Sequence, residues 1–140
     1  MSDRVRNIAA LIELLDARID VPFAWRGKRD CAHFADAAIK AQSGVSVIGD
    51  LKWNSRREAK AVIDAEGGFA AAMDRRLRRV PCALAQRGDI AAVPDRLFGI
   101  RLMVIEGSTL VAPGSRGLER QPRAAMTIAW DAISAGLVDE

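Results

Sequence analysis

Near residue 88 the spacing of apolar residues changes from helical to strand-like, and that change of texture limits the folds open to the chain. Before it, Val5, Ile8, Ala9, Leu11, Ile12 and Leu15 recur at helical spacing, which predicts an amphipathic helix over 3–17. Asp30 is an N-cap residue in front of the alanine-rich run CAHFADAAIKAQ, so a second helix is expected to start at Cys31 and stop at Ser43 and Gly44. Ser55 followed by Glu58 has the spacing of a capping box, placing a third helix over 56–65. After Gly67 and Gly68, FAAAMDRRLRRV reads as a fourth helix that stops before Pro81. Beyond Gly88 come IAAV, GIRLMVI, TLVA, LERQ and MTIAW, short runs separated by VPDR, EGS and PGSRG, as in an antiparallel meander. The order predicts an α+β fold with N-terminal helices packed on a C-terminal antiparallel β-sheet. It forms one domain over 1–130, and the patternless residues 131–140 are expected to be a frayed tail.

The chain's 140 residues, half of them hydrophobic, can bury a core of their own. No apolar run approaches the ~18 residues of a membrane span, so neither a membrane segment nor a signal peptide is expected. The two cysteines, Cys31 and Cys82, sit in unlike contexts and do not suggest a disulfide framework. A single histidine, His33, leaves too few ligands at motif spacing for zinc, and no metal or cofactor is expected. The net charge of +3 is densest at Arg75, Arg76, Arg78 and Arg79, read as the solvated end of a helix. Without interleaved aromatics, no nucleic-acid partner is expected. Arg87, Gly88 and Asp89 spell an adhesion tripeptide but fit a turn into a strand better.

A cysteine in a first helical turn faces unpaired N–H groups that favour the thiolate, which makes Cys31 the candidate nucleophile. The plainer reading is a small residue packing the helix start. Cys31 and His33 are two residues apart, a rotation of about 200° that keeps them from pairing on one helix. His33 is expected to be a surface or helix-packing residue. Asp30 could polarise the site, although capping already accounts for it. Trp25 is placed to line a cleft or interface, Trp53 in a loop is the better candidate for a partner contact, and Trp130 is expected to pack in the core or at its edge. Cys82 reads as a packing residue.

Taken together, PFAWRGKRDCAHFADAAIKAQSGV resembles the nucleophile segment of NlpC-like, papain-type cysteine peptidases: a Pro-aromatic loop, a Trp-Gly-like turn, then Asp-Cys opening a helix that ends in Gly. The likeness is strongest to the short NlpC-like proteins of phage and prophage tail operons, with Arg26 inserted between Trp25 and Gly27. LAQRGDIAAV resembles that family's lead-in to its first strand, and FGIRLMVIEGSTLVAPGSRGLERQP its strand pairs, so the likeness runs from Pro22 to Trp130. The resemblance implies a papain-like core with the cysteine helix on an antiparallel sheet. In active members a strand histidine takes the thiol proton and a third residue orients it. Here the histidine position falls on Leu97 and the orienting position near Ala112, and no histidine follows His33.

The resemblance therefore implies a degenerate peptidase fold serving as a structural or assembly component of a phage or prophage tail tip. Its partners would be other tail-tip or hub proteins, with host peptidoglycan a further candidate. Its location would be the virion tail tip, and the host cytoplasm during assembly. The alternative is an active cell-wall endopeptidase or amidase using Cys31 with a base from a partner chain. A host-side binding module with basic patches is a third class.

Overall fold

The structure, a computed structural model, describes residues 4–138. Four helices precede a six-stranded antiparallel sheet, five of whose strands lie beyond residue 88 where the texture changes. Helix α1, Ile8–Arg18, starts later than the periodicity predicts, because Asn7 caps it by accepting from Ala10 N at 3.0 Å. It buries Leu11 and Leu15. Helix α2, Cys31–Ser43, lies between Asp30, whose side chain accepts from His33 N, and left-handed Gly44, whose N–H bonds Lys40 O. Helix α3, Arg56–Ala65, is capped by Ser55, while Glu58 reaches back to Asn54 N at 3.0 Å.

Helix α4 is only Phe69–Asp74, which corrects the longer helix expected to run to Pro81. The arginine-rich segment after it is captured by tertiary partners instead. Asp74 accepts from Arg79 and from Trp130 Nε1, Ser134 Oγ accepts from Arg78 N, and Arg79–Val80 forms strand β1.

Strands β2 (Ile90–Asp95), β3 (Gly99–Ile105), β4 (Thr109–Gly114) and β5 (Gly117–Pro122) are consecutive neighbours, as a meander requires. Strand β6, Ile128–Trp130, departs from it: the chain returns to pair β6 with the free side of β2, and β1 closes that edge. Alternation along the strands makes two cores. Ile90, Ala92, Leu102, Val104, Val111 and Trp130 join the helices in the larger one. Ala91, Val93, Met103, Ile105, Leu110 and Ala112 form a second, smaller cluster on the other face.

Residues 131–138 do not form the expected frayed tail. Ala132 and Ala135 are buried, a short turn over Ala132–Ser134 is capped by Asp131, and Arg4 donates to the carbonyls of Ile133 and Ala135. Residues 139 and 140 lie outside the described residues. No helix among the described residues is long and apolar enough to cross a membrane.

Candidate functional site

Cys31 is the first residue of α2, and its thiol looks into a gap in the sheet. Strands β3 and β4 pair only at Val104 with Val111 and Ile105 with Leu110, and nearer the start of β3 they separate. Arg101 fills the gap. Its Nε donates to Cys31 Sγ at 3.2 Å, its Nη2 to Pro113 O at 2.8 Å, and its Nη1 pairs with Glu119 Oε1 of β5 at 2.6 Å. A thiol, a guanidinium and a carboxylate therefore stand in series across α2, β3 and β5.

The order of these groups decides what they can do. Burial pushes the Cys31 thiol above its usual value, and the nearby Asp30 and Glu119 carboxylates add to that, while Arg101 pulls the other way without prevailing. Among these neighbours burial thus has the larger effect on Cys31 and holds its proton more tightly. A guanidinium stabilises a thiolate when one forms, but it holds its own proton far above neutral pH and cannot act as a base.

The residues at the thiol are not the ones that the resemblance assigns to the proton acceptor and its orienting partner. Leu97, assigned to the histidine position, lies in the β2–β3 turn and is 43% exposed. Ala112, assigned to the orienting position, is fully buried in the smaller core. The strand residues that meet Cys31 and its partner are Arg101 and Glu119, which sequence reasoning missed. The available signal was Arg101 itself, a charge interrupting the apolar run GIRLMVI.

Beside the thiol opens a cleft of about 190 Å³ whose walls are Phe23, Trp25, Phe69, Leu97 and Phe98, with Cys31 and Arg101 among its other lining residues. Trp25 lines this cleft, packed edge-on against Phe23 with ring centroids 4.8 Å apart and against Phe98 at 5.7 Å. Its loop is held by Gly27 and by Lys28, the only non-glycine with positive φ (59°) among the described residues.

Asp30 also lines the cleft, but its oxygens are already engaged. Oδ1 accepts from His33 N at 3.0 Å, and Oδ2 accepts from His33 Nδ1 at 2.7 Å and from Trp53 Nε1 at 3.1 Å. Trp53 is therefore a buried structural residue, 5% exposed, and not the exposed partner contact expected of a loop tryptophan. Its indole N–H needs an acceptor, and Asp30 has a lone pair to spare.

His33 packs beneath the helix and is buried, facing Asp30 with Nδ1 and Leu51 O at 2.9 Å with Nε2. Both partners are acceptors, and only imidazolium donates from both nitrogens. The proton affinity agrees in direction. Burial alone lowers it, but the hydrogen bond and charge of Asp30, the Leu51 carbonyl and Asp36 together carry it above the usual histidine value. His33 is thus committed to an internal ion pair and is no base for Cys31.

Among the other groups singled out, Asp89 is buried and accepts from Arg6, Gln86 N and Ala132 N, so the Arg-Gly-Asp tripeptide is a structural turn. Arg75 and Arg76 pair with Glu66, Arg78 bonds Leu137 O and Arg79 pairs with Asp74, so the arginine cluster is tied to its own chain. Cys82 is partly buried against the smaller core. No metal-binding group of side chains occurs among the described residues. The family described as "Domain of unknown function (DUF6950)" matches residues 3–132. No curated protein matches the chain.

Proposed function

We propose, from the premise that this chain belongs to the DUF6950 family, that it is a papain-like, NlpC-type fold retained without peptidase activity and used as a structural or assembly component of a phage or prophage tail tip. The observation that carries the inactive half of this reading is the Arg101 guanidinium on Cys31 Sγ. Hydrolysis of an amide by a thiol needs an acceptor for the thiol proton and an acid that returns it to the leaving amine. A permanently protonated guanidinium supplies neither, and loss of such help typically costs ~100- to 10,000-fold in rate. The raised proton affinity of Cys31 points the same way.

The papain-like half is supported by a cysteine opening a helix that packs on antiparallel strands. The tail-tip setting rests on the resemblance of PFAWRGKRDCAHFADAAIKAQSGV and LAQRGDIAAV to the tail-operon proteins. The test is incubation of purified protein with peptidoglycan fragments, followed by mass analysis. No release of peptide is expected. Turnover that vanishes in Cys31→Ala would reverse this reading in favour of a working peptidase.

A further inference from the structure

The cleft beside Cys31 has a rim that catalysis does not explain. A second, shallower depression, lined by Arg56, Arg57, Lys60 and Leu97, meets the cleft at Leu97. Arg26 and Lys28 are exposed in the loop that joins the cleft residues Trp25 and Asp30, and Arg96 is exposed between the cleft residues Asp95 and Leu97 in the chain. Arg26, Lys28, Arg56, Arg57 and Arg96 have no side-chain partner among the described residues. Elsewhere the arginines are mostly tied down, as those at 75, 76, 78 and 79 are.

The carboxylates near this rim are already used. Asp64 pairs with Lys60, Glu58 accepts from Asn54 N, and Asp95 accepts from Leu97 N and Phe98 N. What remains is an apolar slot, lined also by Asp30 and Asp95, around which positive side chains are in excess. A slot of ~150 Å³ with apolar walls is enough for a benzene ring, and this one is about 190 Å³. It therefore has room for one phenyl or branched aliphatic side chain, and its charge fits carboxylates on either side of that anchor.

We propose that the cleft is a docking site for an acidic segment of a partner protein, a phenylalanine or leucine entering between Trp25, Leu97 and Phe98 while flanking carboxylates meet Arg56, Arg57, Arg26 and Arg96. This deepens the assembly reading by naming the chemistry of the partner. It does not depend on whether Cys31 is inert.

The test is fluorescence anisotropy of a labelled synthetic peptide with a central phenylalanine between runs of glutamate, titrated with the full chain. Binding that weakens with added salt is expected, with little binding of the same peptide built on lysine. Arg56→Glu with Arg57→Glu should weaken it by roughly tenfold or more. Leu97→Asp, at an exposed position, should remove most of the rest, and thermal melts establish that both variants are folded. Equal binding of the lysine peptide, no binding of the glutamate peptide by folded protein, or indifference to both variants would overturn the inference. So would capture by phosphatidylglycerol vesicles that the glutamate peptide does not displace, since the rim would then be reading a lipid surface. Peptidoglycan turnover would end the inactive-enzyme reading and leave this one standing, whereas failure of peptide binding ends this one alone.

Discussion

The side chains around Cys31 and His33 divide two proton-binding groups into opposite regimes. Burial holds Cys31 as a thiol, and Arg101 is the group beside it that favours the thiolate. Arg101→Gln is therefore expected to move the midpoint of iodoacetamide labelling of Cys31 to higher pH, measured by mass spectrometry of the tryptic peptide against Cys82 as an internal reference. An unchanged or lower midpoint would show that the guanidinium does not act on the thiol. His33 behaves in the opposite sense, because burial, which disfavours its proton, is outweighed by Asp30 and Leu51 O, which hold it. Its affinity is higher folded than unfolded, so its contribution to stability is fully present below ~6.5 and is lost as pH rises through the folded value. With one histidine in the chain, His33→Leu should flatten this part of the stability profile and cost about 3 kcal/mol at acidic pH by removing the counter-charge of Asp30, which keeps its bonds from the backbone N–H of residue 33 and from Trp53 Nε1. Urea unfolding from mildly acid to mildly alkaline conditions checks both. That pairing was not legible in the sequence. The i, i+3 spacing of Asp30 and His33 was visible, but the second acceptor, Leu51 O, comes from a loop beyond the end of α2.

At the scale of elements, what local chemistry dictates was legible and what distant strands dictate was not. Asp30, Gly44 and Ser55 mark helix ends through bonds to their own neighbours, and those ends fall where the sequence puts them. The end of α4 does not, because RRLRR is helix-compatible locally and is drawn out by pairing of Arg79 with Trp130 and Val80 with Ala129 on β6. Glycines separate in the same way. Gly44 has φ of +81° with open space where a Cβ would lie, so Gly44→Ala should cost only the left-handed strain, roughly 1–2 kcal/mol. Gly117 has φ of +126°, and a Cβ there would lie 2.2 Å from Ile19 O, a backbone atom fixed by its bond from Leu118 N. Gly117→Ala should therefore be clearly the more destabilising of the pair in thermal melts. Equal losses would mean that the α1–β5 approach is looser than the geometry indicates.

For the whole molecule, the question is which position on the sheet faces the cysteine helix, and no local pattern answers it. The resemblance puts the acceptor at Leu97, and the strand residue that meets the thiol is Arg101, four residues on; short motifs fix order better than register. The splay of β3 from β4 then admits Arg101 and Pro113 to the thiol. This difference has a direct test. In arginine Nε is three bonds beyond Cβ, and in histidine Nε2 is also three bonds beyond Cβ. Arg101→His can therefore bring Nε2 to the place now held by Nε, 3.2 Å from Sγ. The other ring nitrogen lies nearer Cβ than Nε does, so of the two acceptors that Arg101 now uses only Glu119, on a flexible side chain, can follow it. Leu97→His puts the ring in an exposed turn with no such acceptor assigned to it. We expect Arg101→His to gain slow, Cys31-dependent cleavage of an activated thiol-reactive ester, and Leu97→His to remain as inert as the unmodified chain. Activated esters are the right probe because their leaving group departs without a proton, so the assay reads acceptance of the thiol proton alone. Activity in Leu97→His but not in Arg101→His would return the acceptor position to the β2–β3 turn and undo the assignment of Arg101.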